Sequence, residues 1–273
     1  MPELPEVQTV VDTLKGMILN KTIADIKVLY APIIVGDHNE FVNKLKGQTL
    51  HDIKRRGKYL IFEFDDIAMV SHLRMEGKYY VMKQDDEITK HMHIIFEFSD
   101  GTSLRYNDTR KFGRMELIPI NDGHGYHDFH GLGPEPFSEE FNLEHVKNFL
   151  KKVHKPIKTV LLEQKIVTGI GNIYADEILF KMGVNPARPA NELSEQNMLD
   201  LIKYTNETLA EAIKCGGTTI RSYTSSLGVT GRFQLSLLVH TKEGEHCPRC
   251  GTIIEKTRVG QRGTYYCPKC QKD

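Results

Sequence analysis

Four of the chain's five cysteines lie in its last 27 residues as two Cys-x-x-Cys pairs, Cys247 with Cys250 and Cys267 with Cys270, sixteen residues apart. Few features constrain a fold more. Each pair turns back on itself and presents two thiolates to one tetrahedral ion. Four protein ligands complete the coordination and leave no position for an activated water, so the expected ion is a single structural zinc. Thiols used this way belong to a reduced cell interior rather than to a secreted disulfide framework. Cys215 stands apart and is expected to be a small buried hydrophobe.

The chain has 273 residues, room for about two average domains and a sizeable core. Its 36 basic residues balance 36 acidic ones, so any polyanion partner must be inferred from where charges sit. The cysteine module is locally basic: Lys242, Arg249, Lys256, Arg258, Arg262, Lys269 and Lys272 stand against Glu243, Glu245, Glu255 and Asp273, seven minus four, or +3. Zinc ribbons bind proteins as well as nucleic acids, so this leaves both open. No apolar run approaches a membrane span, and Met1-Pro2-Glu3 is not a basic region ahead of an apolar one, so membrane insertion and secretion are not expected.

Val7, Val10, Val11, Leu14, Met17 and Ile18 recur at helical spacing behind Pro2 and Pro5, with Glu3 and Glu6 at the positive end of the dipole. The pattern predicts a helix from Glu6. The period then becomes two. Ile26, Val28 and Tyr30 alternate with polar neighbours, 59–64 and 68–73 are short apolar runs, and 93–98 meets 104–106 across Asp100-Gly101, a hairpin signal. This half reads as a β-sandwich or barrel with a helix packed on it. Breakers gather between Pro119 and Pro136, placing a domain boundary there. His124, His127 and His130 in that stretch are read as linker rather than as metal ligands. Helical patterns follow over 141–152, 157–166, 173–182 and 195–214. The expected class is α+β multidomain: a catalytic β-sandwich domain over 1–130, a helical domain over 131–235 and a zinc finger over 236–273.

Gly169-Ile170-Gly171-Asn172 lies between two helical patterns, with Asn172 expected as the N-cap of the second. Such a turn exposes N–H groups that suit a phosphate, although a plain helical turn with a capping Asn reads the same. Lys54-Arg55-Arg56-Gly57-Lys58 is expected to open a strand, and Arg105, Arg110, Lys111 and Arg114 form another basic group. Basic residues beside glycines and aromatics on loops suit a nucleic-acid backbone, whereas charge runs in general are solvated faces.

Taken in order, Pro2-Glu3-Leu4-Pro5-Glu6-Val7, Arg55-Arg56-Gly57-Lys58-Tyr59-Leu60, His72-Leu73-Arg74-Met75-Glu76-Gly77-Lys78, Asp108-Thr109-Arg110-Lys111-Phe112-Gly113, Leu132-Gly133-Pro134-Glu135-Pro136, the run Gly169 to Glu177 and the cysteine tail resemble the bacterial formamidopyrimidine-DNA glycosylase family along the whole chain. The resemblance implies a β-sandwich, a helix–two-turn–helix domain and a zinc finger. It implies a bifunctional base-excision-repair glycosylase and abasic-site lyase that removes 8-oxoguanine and formamidopyrimidines from damaged double-stranded DNA and cuts the strand by β,δ-elimination. It further implies a monomer in the bacterial cytoplasm, associated with the nucleoid.

By the same resemblance, Pro2 matches the nucleophile, Glu3 the general acid/base and Glu6 a supporting carboxylate. Lys58 matches a lysine at the lesion and its flanking phosphate. An α-amine with a pKa near 8 is roughly a tenth unprotonated at pH 7, against about 0.04% for lysine, so a terminal amine is a ready nucleophile. Met75, Arg110 and Phe112 match the residues that fill the gap left by an everted base. His91, Asn172 and Arg262 match further DNA contacts. Arg221, Ser222 and Tyr223 match a loop, Thr218 to Thr230, that encloses the everted purine.

The chain departs from the family at Gln234-Leu235, where Gln-Asn is usual, and at His240-Thr241-Lys242, where Tyr-Gly-Arg is usual. Two alternatives remain at this level. One is the sister endonuclease VIII-type group, which removes oxidised pyrimidines; Leu4 and the Met75, Arg110, Phe112 set favour the purine enzyme. The other is a catalytically silent DNA-binding protein.

Overall fold

The computed structural model describes residues 1–120, 129–218 and 231–272. They group into two compact units, one of residues 1–120 with 216–218 and Gly231, the other of 129–215 and 232–272.

In the first unit, helix α1 (Leu4–Ile18) starts two residues earlier than its apolar spacing predicts. Glu3 is the N-cap, and a capping box joins it to Glu6, whose Oε2 accepts the Glu3 N–H at 2.8 Å. Pro5 sits in the first turn, where its missing N–H has no intrahelical acceptor to lose. Val7, Val10, Val11, Leu14 and Ile18 are buried, but Met17 is 42% exposed. At 3.6 residues per turn Met17 lies about 80° around the helix from the centre of that stripe.

The strands are β1 (Ile23–Val28), β2 (Asp52–Arg56), β3 (Tyr59–Glu63), β4 (Ile67–His72), β5 (Lys78–Lys83), β6 (Met92–Phe98), β7 (Thr102–Asn107) and β8 (Arg114–Pro119), with helix α2 (His38–Leu45) between the first two. They make two four-stranded antiparallel sheets, β1-β6-β7-β5 and β2-β3-β4-β8, the β-sandwich. Phe62 of one sheet meets Tyr79 of the other edge-on at 5.5 Å within a single core. Because α1 packs on β2 and β3, β3 is covered on both faces and four of its five residues are buried. That explains an apolar run where alternation would mark a half-exposed strand. The β6–β7 hairpin turns at Asp100-Gly101 as expected, with Gly101 at φ 85°. The basic run 54–58 does not open a strand: Arg56 ends β2, Gly57 at φ 56° makes the turn, and β3 begins at Tyr59.

The second unit holds helices α3 (Leu143–Leu150), α4 (Ile157–Leu162), α5 (Asn172–Met182) and α6 (Glu195–Lys214), then strands β9 (Glu255–Val259) and β10 (Arg262–Tyr266), which form the finger's antiparallel hairpin. Ser194 caps α6 by accepting the Asn197 N–H at 3.1 Å. The N-cap of α5 is Gly171, and Asn172 is the first helical residue, so its side chain is not spent on capping. Gln164 braces the turn before it: its Oε1 accepts the Gly169 N–H at 2.8 Å and its Nε2 donates to the Ile170 carbonyl.

Candidate active site and nucleic-acid interface

The start of α1 gathers charge that an isolated surface would solvate. Pro2 is buried, Glu3 is 3% exposed, Glu6 6% and Lys58 5%. The terminal amine, carried here by Met1, is lowered from its ordinary value chiefly by burial; Glu3 and Glu6 oppose that shift, while Lys58 and Arg110 reinforce it. Those four groups are therefore the electrostatic surroundings of the chain's N-terminus. The turn bearing Lys58 is braced by Arg55, whose Nε donates to Gln8 Oε1 of α1 at 2.9 Å and whose guanidinium donates to the Gly57 carbonyl at 3.0 Å. Glu6 has a distant partner as well: its Oε1 accepts the Thr218 N–H at 2.7 Å and the Thr218 hydroxyl at 3.0 Å. A Cβ at Gly217, whose φ is +76°, would stand 2.8 Å from that carboxylate oxygen. Only glycine gives Glu6 this approach.

Of the gap-filling candidates, Met75 is half-buried in the β4–β5 loop, while Arg110 and Phe112 are exposed between β7 and β8, the guanidinium 4.7 Å above the Phe112 ring. His91 is half-buried, and its carbonyl accepts the Asp108 N–H at 3.0 Å. Arg221, Ser222 and Tyr223 lie outside the described residues.

Two of the basic groups are largely structural. Lys54 pairs with Glu63 at 2.8 Å, and Arg56 is buried. Arg105 is 1% exposed and donates to the carbonyls of Lys83, Gln84, Asp86 and Glu87, holding the β5–β6 loop from within.

In the second unit Asn172 Nδ2 donates to the Gly263 carbonyl at 3.0 Å, bringing the helical turn to the residue after the exposed Arg262. Beneath this contact lies a buried network. Lys158, fully buried, donates to Asp176 Oδ1 at 2.7 Å, Thr264 Oγ1 at 2.8 Å and the Gly263 carbonyl at 3.0 Å. Asp176 Oδ2 faces His240 Nδ1 at 2.7 Å and accepts the Tyr265 N–H at 3.3 Å. Glu177 accepts the N–H groups of Leu238, Val239 and His240; burial pushes its carboxyl above the ordinary range although those bonds pull it down. Arg249, one of the module's cations, stacks on Phe180 and caps the C-terminal carbonyls of α5 at Phe180 and Lys181.

The four cysteine sulfurs lie within 4.8 Å of one another, with Cys247 and Cys270 at 3.8 Å and Cys250 and Cys267 at 3.5 Å. A tetrahedral zinc with bonds of about 2.3 Å requires sulfurs roughly 3.8 Å apart, so the donor set fits one ion. The thiols cannot share this space as anions without a cation. Thr252 bonds draw Cys250 down to about 6, while burial and then the neighbouring sulfurs push Cys270 up to about 12.

A β-sandwich, a helical unit and a four-cysteine finger thus make up the described chain. Comparison with known proteins is more particular. Residues 1–115 match the formamidopyrimidine-DNA glycosylase N-terminal domain, 132–224 the formamidopyrimidine-DNA glycosylase H2TH domain and 244–272 the zinc finger found in FPG and IleRS. The chain is 50% identical over 273 residues to the formamidopyrimidine-DNA glycosylase of Enterococcus faecalis, covering 100% of this chain and 98% of that one. It resembles the Lactococcus lactis Fpg complexed with abasic-site DNA (TM-score 0.93, 43% identity, 99% and 100% covered). MutM with carbocyclic 8-oxo-G DNA is similar at TM-score 0.93 and 42% identity, with 100% of each chain covered. The chain belongs to the formamidopyrimidine-DNA glycosylase family. No helix among the described residues is long and apolar enough to cross a membrane.

Proposed function

We infer that this glycosylase excises oxidised purines from duplex DNA through a Schiff base on Pro2, then cleaves the strand as an abasic-site lyase. The carrying observation is that Pro2, Glu3, Glu6 and Lys58 are all buried, with Glu3 and Glu6 joined in the capping box that opens α1. An everted nucleotide gives C1′ access to the Pro2 amine. The nitrogen lone pair forms the N–C1′ bond as the glycosidic bond breaks, and the base leaves with the electron pair of the glycosidic bond and gains a proton. Glu3 moves protons at the sugar, ring opening gives the iminium, and elimination of the 3′ and then the 5′ phosphate cuts the strand. Glu6 holds Glu3 through its backbone N–H. Solved relatives bound to abasic-site and 8-oxo-G DNA support this substrate class.

While Met1 is attached, the Pro2 nitrogen is a tertiary amide with no basic lone pair. Activity therefore requires removal of Met1. On this reading residues 1–130 carry the chemistry, 131–235 and 236–273 hold the backbone through Asn172 and Arg262, and a monomer works at the bacterial nucleoid.

Borohydride trapping on 8-oxoguanine duplexes, combined with peptide mapping and intact mass, tests the assignment. A reduced adduct on Pro2 of chains lacking Met1 is expected. Pro2→Gly should keep some trapping through its primary amine, and Glu3→Gln should lose excision yet cleave a preformed abasic site. A crosslink mapped to Lys58, or full activity from chains retaining Met1, refutes it. No adduct at all would indicate the silent binder, and preference for a damaged pyrimidine the sister specificity.

A further inference from the structure

Two loops of the first unit carry the gap-filling candidates: 73–77 with Met75, and 109–113 with Arg110 and Phe112. A single phenol head stands between them. A Cβ added at Gly113 would overlap the Tyr106 hydroxyl and stand 2.7 Å from its Cζ. A Cβ added at Gly77 would overlap the same hydroxyl and approach the Leu73 carbonyl oxygen to 2.6 Å. Both glycines thus leave room that Tyr106 fills. The ring is fully buried and packs edge-on against Tyr79 at 5.2 Å, whose hydroxyl in turn donates to Ser71 at 2.7 Å.

The Tyr106 hydroxyl donates to Asp108 Oδ2 at 3.3 Å. Asp108 is also fully buried. It closes the second loop at both ends, Oδ1 accepting the Arg110 N–H at 3.0 Å and Oδ2 the Gly113 N–H at 2.8 Å. Its own backbone is held from both sides. The N–H donates to the His91 carbonyl at 3.0 Å, and His93 Nε2 donates to its carbonyl at 2.8 Å. The first loop closes through the Gly77 N–H on the Leu73 carbonyl at 2.9 Å. Each loop contains a non-glycine residue in the left-handed region, Arg74 at φ 54° and Lys111 at φ 58°. Such backbone persists where surrounding contacts over-determine it.

We propose that Tyr106 and Asp108 are positioning residues that lock the two loops into one unit, so that Met75, Arg110 and Phe112 enter the duplex together. The proposal rests on the reading that these three side chains fill the gap. The buried phenol and carboxylate act only through the loops they hold: the Arg110 guanidinium, whose donors match the acceptors of an orphaned cytosine better than those of adenine, discriminates the opposite base only while its loop is held.

The test uses the full zinc-loaded chain, amide hydrogen exchange, and excision of 8-oxoguanine opposite cytosine and adenine. Tyr106→Phe should speed exchange at both Gly77 and Gly113 by about fivefold, as loss of one hydrogen bond predicts. Asp108→Asn, which cannot accept at both loop ends, should lower the cytosine-over-adenine ratio of kcat/KM by about fivefold or more, with no further loss when combined with Arg110→Ala. Unchanged exchange at either glycine in Tyr106→Phe overturns the coupling. A wild-type ratio in Asp108→Asn, where Arg110→Ala lowers it, overturns the positioning role. If Arg110→Ala itself keeps the ratio, the reading of Arg110 fails and the exchange data alone decide the lock. If Asp108→Asn does not fold, Tyr106→Phe supplies both readouts.

Discussion

Replacing Lys158 with methionine should loosen the finger from its helical support by an amount the geometry sets. The ammonium is fully buried and its three hydrogens are matched by Asp176, Thr264 and the Gly263 carbonyl. Methionine retains most of the stem's volume, so little cavity energy enters. What remains is a fully buried Asp176 carboxylate with its cation removed. Breaking a buried pair on one side costs about 3–5 kcal/mol. His240 and the Tyr265 N–H still face the carboxylate and offset part of that, which places the loss at about 3 kcal/mol, the low end of the range. Against a typical stability of about 5–15 kcal/mol, urea denaturation resolves such a change. Duplex affinity should fall too, because the Gly263 carbonyl shared by Lys158 and Asn172 adjoins Arg262. Adding Asp176→Asn should recover stability, since a neutral amide removes the orphaned charge. A Lys158→Met chain as stable as the wild type would refute this reasoning, as would a double variant no better than the single one.

Thr241 stands at φ 67° where the family usually has glycine; left-handed backbone costs an L-residue about 1–2 kcal/mol and glycine's greater unfolded freedom returns about 0.5–1, so Thr241→Gly should raise stability by about 1 kcal/mol in urea titration. A less stable variant would show that the Thr241 hydroxyl's 2.6 Å bond to the His240 carbonyl outweighs the strain. Cys267→Ser should release zinc and abolish duplex binding, read by metal analysis and fluorescence anisotropy; unchanged affinity after metal loss would show that the ion does not hold Arg262. Asp100 is held down at about 2 by Lys21 and by two bonds from Thr102. A depressed carboxyl contributes stability that is fully present above its ordinary value of 3.8 and lost as pH falls through about 2. Because this pair is exposed, Asp100→Asn should cost only about 0.5 kcal/mol at neutral pH and nothing below that range, and a deficit persisting in strong acid contradicts it.

Elements whose signals are local were legible in the sequence. Helix α6 runs over Glu195–Lys214 as its periodicity predicts because Ser194 supplies its cap and no breaker interrupts the stripe. The cysteine site follows from spacing alone. Basic residues were less legible, because a guanidinium meets a buried carbonyl and a phosphate with the same donors. Arg55 and Arg105 lie on strands and brace neighbouring loops from inside, and Arg249 caps a helix end; their charge alone left a nucleic-acid-facing surface open for all three. Gln164 and Tyr106 gave no signal and Asp108 only membership of a motif, since their roles exist only once partner loops are brought to them. Thr218 was attached by resemblance to a base-enclosing loop, yet its bond to Glu6 spans 212 positions of chain, which no local pattern encodes.

That last bond sets an order of events during synthesis. The unit carrying Pro2 and Glu3 is discontinuous in sequence: it is left after the sandwich, the helical segment is made in between, and the chain returns to it at Gly216. While the ribosome is still translating the helices, a nascent chain can close its sandwich core, but Glu6 lacks the two donors that Thr218 brings to its carboxylate. Closure over so long a span is also slow compared with local folding. The surroundings of the Glu6 carboxylate are therefore among the last parts of its unit to be finished, and fragments ending before that return leave Glu6 without its Thr218 partner.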